Sequence, residues 1–128
     1  MHILSFIQQG CKMFGITYIQ SKEEVQNYLS GIDAEFDVDT KGKMIRCGNV
    51  QYFFEENKLS FIMYYFYYGG WSRQALQSEL VTHRVSFAPN PRHDLDTHLQ
   101  VITATDIINF IFDEDTLQKV QLKPVYEV

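Results

Sequence analysis

Three of the chain's four histidines lie between His83 and His98, and two arginines accompany them: His83-Arg84, then Arg92-His93, then His98. An imidazole ionises near neutral pH and can move a proton, while a guanidinium can hold a phosphate through two parallel hydrogen bonds. Together they are the equipment of a small metal-independent nuclease or another phosphodiester-acting toxin. Its catalytic candidates would be Arg84, His98, His83 and His93. The commoner assignment is structural. A histidine alternating with Val81, Val85 and Phe87 is more often a hydrogen-bonded core residue. Arg84 between Thr82 and Ser86 fits a solvated sheet face, and His93 in a Pro-flanked loop fits ordinary surface. Three imidazoles converging at about 2.1 Å on one ion would need more than two strands and a loop usually supply, so no metal is expected.

Other chemistry is sparser. Glu35, Asp37 and Asp39 recur every second residue, a spacing that can present carboxylates to a divalent ion. The usual reason for such a strand is that charge deters edge-to-edge aggregation. The run from Tyr64 to Tyr68, followed by Trp71, is core material by default. It is also what a partner-binding surface looks like, with Tyr64, Tyr68 and Trp71 as contact candidates. No glycine-rich phosphate loop, serine-hydrolase elbow, zinc-protease helix or calcium loop occurs, and no cofactor is expected.

The elements that must position these residues follow from pattern. Residues 2–14 carry Ile3, Phe6, Ile7, Met13 and Phe14 at helical spacing, weakened by Gly10 and stopped at Gly15. Ser21 with Glu24 forms a capping box, and Val25, Tyr28 and Leu29 make a stripe that ends at Gly31. From Ala34 the period drops to two. Short strands around Phe36 and Val38, over 44–47 and from Val50 to Phe54 precede an uncharged strand at 59–68, each one hairpin from the next. Both faces of 59–68 are apolar, so it is expected at the centre of the sheet, covered on both sides. Residues 72–78 form an excursion without a clear period. Strands are then expected at 79–87 and 97–102, and a buried closing helix over 107–112. On that reading His83 points inward, while Arg84 and His98 share the wetter side. No internal repeat is evident. The expected fold is one α+β domain spanning 1–128: an antiparallel meander packed with N-terminal helices and one C-terminal helix.

Composition narrows the function. The chain has 128 residues, 45% of them hydrophobic and 15% aromatic, enough for a core without disulfide or metal staples. A formal net charge of −5 argues against binding duplex nucleic acid, which rewards basic surfaces. Cys11 and Cys47 have no redox or zinc spacing and fit free thiols in a reducing compartment. The start lacks a basic leader, and the longest apolar run is about half a membrane span, so a cytoplasmic location is expected.

The stretch His83-Arg84-Val85-Ser86-Phe87-Ala88-Pro89-Asn90-Pro91, then His98-Leu99 and Ile107-Ile108-Asn109-Phe110-Ile111-Phe112, resembles a family of uncharacterised bacterial proteins. The resemblance covers about the C-terminal third. It implies a related fold and a bacterial origin, and no activity. The expected function is therefore a small acidic protein-binding or regulatory module of a bacterial or phage conflict system: an antitoxin, immunity protein, inhibitor or defence accessory protein. Its partner would be another protein, with a second copy of the chain also considered, and not a membrane.

Overall fold

The computed structural model describes residues 2–66, 70–89 and 97–125. Among the described residues three helices form where local signals are strongest. His2 caps α1 (Ile3–Gln9), its Nδ1 accepting from the Leu4 N–H at 3.2 Å. A 3-10 turn, Gly10–Phe14, follows and closes on Gly15 at φ 83°. The expected capping box starts α2 (Lys22–Gly31): Ser21 Oγ accepts from the Glu24 N–H, and the Glu24 carboxylate accepts from the Ser21 N–H. Ser72 starts α3 (Arg73–Thr82) in the same way, accepting from the Ala75 N–H at 3.1 Å.

α3 corrects the strand expected over 79–87. Leu76 and Leu80, one turn apart, are fully buried, whereas Val81 is 65% exposed. The apparent alternation came from joining the last helical turn to the extended exit at Val85 and Phe87, so two different periods looked like one.

Among the described residues there are eight strands: β1 (Asp37–Val38), β2 (Met44–Cys47), β3 (Val50–Glu55), β4 (Lys58–Tyr65), β5 (Ala88–Pro89), β6 (His98–Ile102), β7 (Asp106–Asp113) and β8 (Thr116–Pro124). They form one sheet in the order β1-β2-β3-β4-β8-β7-β6-β5, antiparallel throughout. The class is α+β with a meander sheet, and β4 is central, as expected. The closing helix is not: residues 107–112 belong to β7. Ile108, Phe110 and Phe112 face the core while Ile107, Asn109 and Ile111 face the other way. A strand apolar on both faces has the same composition as a buried helix turn.

One cluster of buried side chains joins the helices to a single face of the sheet. It runs from Ile3, Phe6, Val25, Leu29, Leu76 and Leu80 to Ile45, Tyr52, Ile62, Phe110, Val120 and Leu122. Asp106 anchors the N-terminal segment beneath it. Its fully buried carboxylate accepts from the Cys11 N–H at 3.1 Å and the Thr105 hydroxyl at 2.6 Å. Gly10, at φ 56°, lies directly against this carboxylate, where a Cβ would collide with it. Burial, then the neighbouring Asp106, pushes the Cys11 thiol well above its usual range, so it behaves as a small core residue. Among the described residues no helix is long and apolar enough to cross a membrane.

The two meanders repeat one another, contrary to the expectation of no repeat. Ser21, Val25, Leu29, Ala34 and Phe36 correspond to Ser72, Leu76, Leu80, Val85 and Phe87. Both helices have ten residues and leave through a left-handed residue, Asp33 at φ 58° and Arg84 at φ 57°. Ala34 N donates to Leu29 O just as Val85 N donates to Leu80 O. The next segment, Val50-Gln51-Tyr52-Phe53-Phe54-Glu55-Glu56-Asn57, matches Ile108-Asn109-Phe110-Ile111-Phe112-Asp113-Glu114-Asp115. Each copy breaks register at the same place, between Phe53 and Phe54 and between Ile111 and Phe112. Leu59 N donates to Gln20 O and Leu117 N to Trp71 O, both at 2.8 Å. Where the copies meet, Ile62 pairs with Leu122, Met63 with Gln121 and Tyr64 with Val120. Exchanging the equivalent residues reproduces that register, so a local two-fold axis passes between Met63 and Gln121. α1 and the 3-10 turn stand outside the repeat.

Candidate interaction face

The strand residues that alternate with the core point to a face on which no described helix packs. One row of registered residues crosses all eight strands: Asp37, Arg46, Gln51, Met63, Gln121, Asn109, Gln100 and Ala88. Within each half its amides are bonded to polar neighbours. The Gln51 amide oxygen accepts from Arg46 at 2.6 and 3.2 Å, and its nitrogen donates to the Tyr65 hydroxyl at 2.9 Å. In the other half Gln100 donates to Asn109, which donates to Gln121, both at 3.1 Å. These bonds explain how Gln51 and Asn109 are buried on a face without a helical cover: longer neighbours lie across them and satisfy their amides.

The flanking rows hold the apolar surface. Phe53 and Phe61 are cross-strand partners stacked at 4.5 Å, both half-buried. Tyr65 pairs with Lys119, whose ammonium sits 5.7 Å from the ring centre. The cations of this face include Arg46, Lys119 and Lys123, and Lys58 stands opposite Glu55 at a hairpin end. Its carboxylates lie at the rim: Asp37 on the edge strand, and Glu55 and Asp113 at hairpin ends. A chain that is acidic overall therefore has a sheet face whose interior is cationic and aromatic.

The residues singled out by type fare differently. His83 is the C-cap of α3, not an inward strand residue, and its Nε2 lies 3.1 Å from Glu79 Oε1. His2, the histidine outside the predicted cluster, approaches the same oxygen at 3.6 Å. Arg84 occupies the left-handed turn after the helix, where the sheet-face argument for it no longer applies. His98 opens β6 on the helix-free face, bonded to the Thr97 hydroxyl at 2.9 Å. His83 and Arg84 thus belong to a helix end and His98 to the opposite side of a sheet strand. Arg84 is therefore not a strand residue sharing a sheet face with His98, as the sequence reading had expected. His93 and Tyr68 lie outside the described residues.

Tyr64 points into the core, edge-on to Phe6 and Phe66, and Trp71 is half-buried against the same cluster. Tyr65, one residue from Tyr64, has the outward position that the sequence reading sought. The alternation of 59–68 contained this signal, but an apolar residue on each side of every position hid which parity faced the helices. Asp39 accepts from the Lys43 and Met44 N–H groups, so it closes a turn. Among the described residues no group of three potential metal ligands converges.

No family model, curated protein or solved structure matches the chain. The resemblance noted for the C-terminal third therefore gains no support as a family assignment.

Proposed function

We propose that the protein is a protein-binding module of regulatory type, working through the helix-free face of its sheet. The observation that supports this is the composition of that face. Among the described residues the half-buried rings of Phe53, Phe61 and Tyr65 flank the buried Met63 and are set among Arg46, Lys119 and Lys123, with carboxylates at the rim. Apolar rings interspersed with cations supply the anchors and the long-range attraction that protein recognition uses. Antitoxins, immunity proteins and inhibitors work in this manner, by occupying a partner rather than by chemistry.

A photo-crosslinking residue at Gln121 or Arg46, on the proposed face, and at Val81, on the exposed side of α3, tests the proposal in the native cell. The expected outcome is a discrete protein adduct from the two sheet positions and none from Val81. Adducts from Val81 alone, or none from the sheet, would overturn it.

A further inference from the structure

The duplication supplies an internal control for the binding reading, on which this inference rests. Equivalent core positions keep their character: Val25 and Leu76, Tyr52 and Phe110, Phe54 and Phe112, Leu59 and Leu117, Ile62 and Val120. Equivalent positions on the helix-free face do not. Phe53 corresponds to Ile111, Phe61 to Lys119, Met63 to Gln121 and Tyr65 to Lys123. The second copy shows that this strand geometry is compatible with lysine, glutamine and isoleucine at those four sites. Three aromatic rings and a methionine in the first copy are therefore not demanded by the fold. Partly exposed aromatic surface beyond what a fold needs marks a contact site.

The first copy also carries a large groove. A groove of about 920 Å³ opens at the end of the aromatic half, with Phe53 and Phe61 in its wall. Lys22 reaches it from the first position of α2, and Lys41 and Lys43 from the turn between β1 and β2. Lys22 Nζ rests against Gly42, the residue between Lys41 and Lys43. Glu55 and Glu56 stand on the hairpin side. The groove thus has a cationic wall, an aromatic wall and an acidic edge.

We infer that this groove binds an acidic protein segment bearing a bulky apolar side chain. The side chain would lie on the Phe53–Phe61 pair and its carboxylates against Lys22, Lys41 and Lys43. The acidic edge sets the direction, because a segment entering the other way would bring its carboxylates to Glu55 and Glu56.

The full chain, labelled for NMR, is titrated with a synthetic peptide in which tryptophan and leucine are flanked by aspartate and glutamate. Phe61→Lys and Phe53→Ile install the residues that the second copy already carries. We expect shifts centred on Phe53, Phe61 and Lys43, and affinity reduced about tenfold or more by F61K and by the double change K41E/K43E. The thermal midpoint of F61K should stay within about 4 °C of wild type. Unchanged affinity in F61K, or a midpoint lowered well beyond that, would overturn the inference. So would binding of adenine nucleotides in place of the peptide. Peptide shifts confined to Gln100, Asn109 and Lys119 would overturn this groove while leaving the binding face in place, whereas no shift anywhere on the sheet would count against both.

Discussion

The two copies of the helix–meander unit share a core and differ on their surface. Val25 and Leu29 of the first are matched by Leu76 and Leu80 of the second, and all four are buried to 2% exposure or less. On the helix-free face the first copy is aromatic and the second amide-rich and cationic. Interior positions answer to packing density, which both copies must satisfy against the same sheet geometry. Outward positions meet no such demand, so they are where two equivalent units can diverge without loss of fold.

The comparison can be broken most forcefully in the core. Leu29→Ala and Leu80→Ala should each cost about 2–5 kcal/mol in urea unfolding, by lost burial plus the cavity left behind. Closely similar losses would sharpen the equivalence. A negligible loss at one site would mean that the two helices do not carry the same load. The helix caps should respond less. Ser21→Ala and Ser72→Ala should each cost about 1 kcal/mol, with Ser21 the more sensitive because Glu24 completes its capping box, whereas Ala75 stands at the equivalent place beside Ser72.

The hairpin tips come next. Asn57 at φ 62° and Asp115 at φ 72° are both left-handed. Asp115→Gly should stabilise by about 0.5–1 kcal/mol in thermal unfolding, since glycine adopts that conformation freely. Asn57→Gly should gain less, because the Asn57 side chain accepts from the Lys22 N–H and donates to Glu23. An equal gain at both tips would show those bonds to be inconsequential.

The smallest effect is electrostatic. The Tyr18 hydroxyl, then the Ser21 N–H, hold the Glu24 carboxyl below its ordinary value of 4.5. A carboxyl with a lowered folded pKa binds fewer protons when folded. Its contribution is therefore complete above 4.5 and is lost as pH falls through the folded value. The stability difference between wild type and Glu24→Gln should shrink as pH is lowered from about 6 to about 3, while Ala75→Gln in the second copy shows no comparable trend. Parallel pH profiles for the two variants would remove this asymmetry.

Much of the first half was legible along the chain. The Ser21 capping box, the Gly15 stop, the strand at 44–47 and the hairpins between Val50 and Tyr65 all announce themselves through residues a few positions apart. The second half misled at two places. At 79–87 a helix end and an extended segment together mimicked alternation, and at 107–112 a strand apolar on both faces mimicked a buried helix. Local periodicity does not reveal where a helical period passes into an extended one, nor tell a strand apolar on both faces from a buried helix. The repeat escaped because its match lies in burial pattern and backbone bonding, with few identical residues. The candidate site escaped because its members come from β2, β3, β4 and the start of α2, and no spacing in the chain connects them.

By itself the sequence determined the α+β class, the caps, the turns and the acidic balance, because each depends on composition or on neighbours within a few residues. Only the tertiary structure decided that β4 pairs with β8 across a two-fold axis, and that Tyr64 faces inward while Tyr65 faces out. It also put His83 and Arg84 at a helix end and His98 on a strand. Strand order and sheet facing depend on which distant apolar surfaces bury one another, and that depends on the whole chain at once.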